Sequence, residues 1–117
     1  MPVSEINALR KSEIVKRVIH SHVDSTGEES YVLKIRAELI NGWLLDFFEH
    51  GADKNRRRYS FHVFQSRKMI IRWDNAPHHP EVESFPHHKH VRGKIEASNE
   101  MTLALVLSEL QKMMEKS

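Results

Sequence analysis

From Tyr31 to Leu39 the chain alternates. Tyr31, Leu33, Ile35, Ala37 and Leu39 are interleaved with Val32, Lys34, Arg36 and Glu38. A period of two is that of a strand with one buried face. Asn41-Gly42 follows, and both residue types tolerate the positive φ that a two-residue type I′ hairpin needs. With that turn, the return strand over residues 43–49 pairs Leu39 with Leu44, Ala37 with Asp46 and Ile35 with Phe48. Paired residues share a face, so Asp46 is expected on the apolar side, where a carboxylate needs a partner.

A second hairpin is predicted downstream. Residues 57–65 put Tyr59, Phe61 and Val63 on one face and Ser60, His62 and Phe64 on the other. A three-residue loop, Ser66-Arg67-Lys68, with a return over residues 69–74 aligns Val63 with Ile71 and Phe61 with Trp73. It also sets His62 opposite Arg72 and Ser60 opposite Asp74. A slip of one residue would mix the faces.

Weaker patterns complete the outline. Val3–Lys11 reads as a short helix with Ile6 and Leu9 on one side. Residues 12–23 are rich in β-branched side chains and read as a strand, and residues 24–30 as a turn by composition. Residues 51–56 read as a polar loop. Residues 75–88 contain Pro77, Pro80 and Pro86 and are expected to be irregular, because proline lacks the backbone donor. Residues 91–97 read as one last strand. Ser98 or Asn99 would cap a helix in which Leu103, Val106, Leu107, Leu110 and Met114 form a core-facing stripe. The expected fold is α+β. A meandering antiparallel sheet of five or six strands packs on a C-terminal helix, with a short N-terminal helix beside it.

The chain's 117 residues suit one domain over residues 1–117. There are no cysteines, which excludes disulfides, thiolate metal sites and a cysteine nucleophile. The apolar runs are too short to span a membrane. The opening residues lack a signal peptide's apolar block, so the expected compartment is the cytoplasm. Charge is uneven: residues 51–97 carry ten bases against five acids, and six of the nine histidines. A basic zone of this kind favours an anionic partner, RNA or DNA first. Arg56, Arg57 and Arg58 could extend such a nucleic-acid-binding surface, though a charge run is more often merely solvated.

The candidate chemistry lies in Arg72-Trp73-Asp74-Asn75-Ala76-Pro77-His78-His79 and Phe85-Pro86-His87-His88-Lys89-His90. Three readings fit. In the first, RNA is cleaved without a metal: His78, His79, His87, His88 and His90 form an acid/base pool. Asp74 orients a ring, and Arg72, Lys89 and Arg92 hold phosphate. In the second, some of these histidines and Asp74 bind a divalent metal such as zinc. Adjacent histidines on an extended loop point apart, so no cofactor is the favoured expectation. In the third, the histidines and prolines only brace a loop against Trp73 and Phe85. His20 and His22 read as surface residues.

The Trp-Asp-Asn…His-His…Phe-Pro-His-His segment resembles the TumE family of toxins from prokaryotic toxin–antitoxin pairs. The likeness extends over most of the chain. It implies a small cytoplasmic toxin with a separately encoded helix-turn-helix antitoxin. By analogy with the system type, it also implies action on RNA, with an endoribonuclease as the leading form. The alternatives are a non-catalytic module that binds nucleic acid or protein, and a metal-dependent hydrolase. Homo-oligomerisation is left open.

Overall fold

The computed structural model describes residues 3–25, 30–52 and 56–116, and for Val3, Ala52 and Arg56 the backbone alone. The order is α1 (Val3–Lys11), β1 (Val15–Ser25), β2 (Tyr31–Leu39), β3 (Leu44–Ala52), β4 (Arg56–Gln65), β5 (Lys68–Asp74), β6 (His88–Val91), β7 (Lys94–Ala97) and α2 (Leu103–Glu115). The strands form one antiparallel meander in chain order, β1 to β7. This is the expected α+β architecture with more strands. Residues 91–97 are not one strand. Arg92 and Gly93 both have positive φ, 52° and 76°, and fold the segment into the β6–β7 hairpin. β6 begins at His88, just after the proline-rich loop.

The pleat sorts side chains to two faces. Leu33, Ile35, Ala37 and Leu39 of β2 are buried with Leu45 and Phe47 of β3, Tyr59, Phe61 and Val63 of β4, and Ile71 and Trp73 of β5. Leu103, Val106, Leu107 and Leu110 of α2 and Leu9 of α1 complete this core. The predicted helical stripe is therefore the packing face, with Met114 at its margin. Phe47 and Phe61 stack with centroids 4.5 Å apart at the centre. Burying each such side chain stabilises the fold by roughly 1.5–3 kcal/mol. Both helices lie on this side, so the other face of the sheet is open.

Three local expectations are corrected. The Asn41-Gly42 hairpin is shifted by one residue: Ala37 pairs Leu45, Ile35 pairs Phe47, and Arg36 pairs Asp46. Only Gly42 has positive φ, at 90°. Its N–H donates to Leu39 O at 3.0 Å, and Leu39 N–H donates to Trp43 O at 2.9 Å. That is a three-residue loop, a turn closed by a left-handed glycine, not a type I′ turn. Asp46 consequently lies on the open face, where both its oxygens accept from Arg36 at 2.7 Å.

In the second hairpin the predicted pairs Phe61–Trp73 and Val63–Ile71 hold, as do His62–Arg72 and Ser60–Asp74. The loop is Ser66-Arg67 alone, both with positive φ, and an irregularity between Val63 and Phe64 restores the register. Finally, α2 is capped by Thr102, whose hydroxyl accepts from Leu105 N–H at 3.3 Å, not by Ser98 or Asn99. Met101 is buried and its N–H donates to Tyr59 Oη at 3.3 Å, so the chain is anchored before the helix begins. Most of the turn expected over residues 24–30 lies outside the described residues.

One charged cluster sits inside the core. Glu49 is 2% exposed. It accepts from Arg57 Nε at 2.6 Å and from Tyr31 Oη at 2.5 Å. Arg57 also stacks over Tyr59, 4.4 Å from the ring centroid. Burial and the Glu49 carboxylate push the Tyr31 hydroxyl well above its ordinary pKa. Arg58 projects to the open face. Removing one member of a buried ion pair strands the other. Arg57→Ala is therefore expected to cost about 3 kcal/mol of unfolding free energy, and Arg58→Ala under about 0.5 kcal/mol. Chemical denaturation measures both, and equal losses would contradict this division of the arginine run.

Candidate functional site

The open face is organised by register. Partners in successive strands form one cross-strand row: His20, Arg36, Asp46, His62, Arg72, His90 and Ile95. A second row runs through His22, Lys34, Phe48, Ser60, Asp74, His88 and Ala97. Directly opposed residues have Cβ atoms roughly 4.5–5.5 Å apart, so each row is a set of touching neighbours. The rows line a groove of about 550 Å³ bounded by His20, Lys34, Arg36, Phe48, His62 and Arg72. A second hollow of about 410 Å³ shares Phe48, Ser60 and Arg72 with it and reaches Arg58, Asp74 and Ala76.

Asp74 is the centre of the β5–β6 end. It is 4% exposed. Its Oδ1 lies 3.0 Å from His88 Nε2 and accepts from Ala76 N–H at 3.0 Å. Its Oδ2 lies 3.1 Å from Arg72 Nε and 3.5 Å from His90 Nε2. The Arg72 contact is an ion pair without the alignment of a hydrogen bond. His88 is buried, and its Nδ1–H donates to Pro86 O at 3.0 Å. His79 arrives from the proline-rich loop, with Nδ1 3.2 Å from Glu81 Oε2. The rings of His79, His88 and His90 meet edge-on, with centroids 4.9 to 5.8 Å apart. Each offers a donor atom, and these atoms all lie within 4.8 Å of one another.

The histidine pool therefore divides. His79, His88 and His90 converge. His78 is exposed on the loop and outside the cluster. His87 turns to the core side, where its Nδ1 shares a 2.8 Å hydrogen bond with Tyr59 Oη. Alternation along β6 sets His88 and His90 on one face and Lys89 on the other, while His87 precedes the strand at the end of the proline-rich loop.

The proposed cations divide in the same way. Arg72 joins the cluster. Lys89 lines a separate hollow with Trp73, Glu96 and α2 residues. Arg92 is exposed in the β6–β7 turn. Arg58 is on the open face, Arg57 is held by Glu49, and the side chain of Arg56 lies outside the described residues.

Arg36 and His62 belong to the surface and were not singled out from the sequence, although the predicted His62–Arg72 opposition already placed one of them there.

Two rings are held toward the neutral form. Burial lowers the pKa of His90, against the attraction of Asp74. Burial and then Arg72 lower that of His62, against Asp46. An unfolded chain takes up a proton at His62 first as pH falls, so this ring contributes a loss of stability through that interval. In side-chain nuclear magnetic resonance titrations, His62 is expected to titrate below free histidine. Arg72→Gln should move it up and Asp46→Asn further down. A midpoint above that of free histidine would contradict this electrostatic picture.

Among the described residues no helix is long and apolar enough to cross a membrane. Residues 6–116 match the model of a protein family described as Toxin TumE. No curated protein and no solved structure matches the chain.

Proposed function

The chain belongs to the TumE toxin family, and on that premise we propose that it is a toxin that holds RNA on its open sheet face and cleaves it at the His79–His88–His90 cluster. Such a toxin has a cognate antitoxin. We assign that partner the helix-turn-helix form, and both proteins the cytoplasm. The supporting observation is the cross-strand row. Arg36, paired with Asp46, and Arg72, paired with Asp74, stand in one line with His20, His62 and His90, flanked by Lys34, Arg58 and the half-exposed Phe48.

Guanidinium groups bind phosphate oxygens, and an exposed aromatic ring accepts an unpaired base. The hollow past Phe48 and Arg58 leads to Asp74. A phosphodiester held there would lie against Asp74, with the His88 and His90 rings, groups suited to proton transfer near neutral pH, on the carboxylate's other contacts. Cleavage by the neighbouring ribose needs its 2′-hydroxyl to lose a proton as the oxygen attacks phosphorus. The departing 5′-oxygen must gain one.

The burial of His88 and Asp74 favours a second reading, in which the face occupies RNA or a protein without turnover. The two readings part on growth after induction. Under the first, His79→Ala and His90→Ala abolish toxicity. Under the second they leave it intact, while Arg36→Ala with Arg58→Ala lowers it.

With purified tag-free protein, RNA cleavage is expected, slowed roughly 10²- to 10⁴-fold by His90→Ala. Each of Arg36→Ala and Arg58→Ala should reduce the salt slope of RNA binding by roughly one. RNA left intact both with and without added divalent metal would contradict the nuclease.

A further inference from the structure

We propose that His79, His88 and His90, together with Asp74, form a binding site for a first-row divalent transition metal ion of the zinc class. The claim concerns the same cluster as the RNA reading but stands on donor geometry alone, and a ring that ligates the ion is not at the same time a proton-transfer group.

Three imidazoles converge from two places in the chain, the proline-rich loop and two positions of β6, and Asp74 at the end of β5 meets two of them. Metal–nitrogen and metal–oxygen bonds of about 2.0–2.2 Å in a tetrahedral or octahedral shell set neighbouring donors about 3.0–3.5 Å apart. His88 Nε2 stands 3.0 Å from Asp74 Oδ1, and His90 Nε2 stands 3.5 Å from Asp74 Oδ2. The second distance is too long for a good hydrogen bond, yet it suits two ligands of one ion. The three imidazole donors lie within 4.8 Å of one another, and an ion would draw them in to the separation of ligands on one centre.

The outer atoms are arranged as metal-binding histidines require. A ligating imidazole donates its other N–H to a carbonyl or carboxylate, which fixes the tautomer and aims the free lone pair. His88 Nδ1–H donates to Pro86 O at 3.0 Å, and His79 Nδ1 faces Glu81 Oε2 at 3.2 Å. Both leave Nε2 as the inward donor. Asp74 is itself held from outside by Ala76 N–H and Arg72.

The donor set selects the metal class. Imidazoles with one carboxylate, in a chain without cysteine, suit zinc, nickel or cobalt, whereas magnesium and calcium prefer all-oxygen shells.

The test uses the full chain without a histidine tag, stripped by a chelator. Zinc chloride is titrated by calorimetry and cobalt chloride by visible absorption. One equivalent of zinc per chain is expected, with cobalt bands of an ordered nitrogen and oxygen shell. His79→Ala and His90→Ala should each weaken zinc more than about tenfold, and Glu81→Gln about tenfold, while His78→Ala and His20→Ala leave it unchanged. Zinc should raise the melting temperature of the wild type and not that of His79→Ala. His79 lies on the loop, so this variant still decides the matter if His90→Ala fails to fold.

Substoichiometric binding, or wild-type affinity in His79→Ala, overturns the proposal. Zinc binding without RNA cleavage leaves it standing and overturns the nuclease reading. RNA cleavage by protein that binds no zinc does the reverse.

Discussion

A carboxylate excluded from water must be paired, and Asp74 imposes that constraint on the whole β5–β6 end of the molecule. Its residue is 4% exposed. An unpaired charge there would cost several kcal/mol. The chain meets the demand with the Ala76 backbone N–H, the Arg72 guanidinium and two imidazoles. Each partner is tied down in turn: His88 by the Pro86 carbonyl, Arg72 and His90 by opposition across β5 and β6. The histidines meet at one point because one acid requires company.

The division of labour between the two faces follows from the pleat. Alternate residues of β2 to β5 build a core with the helices, and their neighbours build a charged surface that no helix covers. Arg57 and Arg58 are split in this way, with Arg57 part-buried against Glu49 and Arg58 left on the surface. The same rule separates Lys89 from His88 and His90. Chemistry that is contiguous in the chain is thus sorted into a packing half and a surface half, and the surface half lines up into rows.

Much of this was legible in the residues. The alternation of Tyr31–Leu39, the register of β4 on β5 and the apolar stripe of α2 each follow from periodicity, because one buried face tolerates no slip. The convergence was only half legible. A His-x-His spacing puts two rings on one side only if the segment is a strand, and β6 is four residues long between a proline loop and a turn. His79 comes from irregular backbone, for which no period exists.

Turn chemistry misled in a specific manner. Asn41-Gly42 suits a type I′ turn, but the loop needs only Gly42 in the left-handed region, and the Asn41 side chain instead accepts from Trp43 N–H at 3.2 Å. The paired positive φ values occur at Ser66-Arg67 and at Arg92-Gly93. Ser66-Arg67 advertises nothing of the kind, and there strand pairing overrides local preference.

The central claim is spatial: two imidazoles meet one buried carboxylate on the uncovered side of the sheet, and a third packs edge-on against them. Proton–proton Overhauser spectroscopy on ring-labelled protein tests it directly. Cross-peaks among the ring protons of His79, His88 and His90, with His87 showing contacts to Tyr59 and none to that trio, are the predicted result. Rings of His79 and His90 without mutual contacts, or His87 in the place assigned to His88, would contradict it.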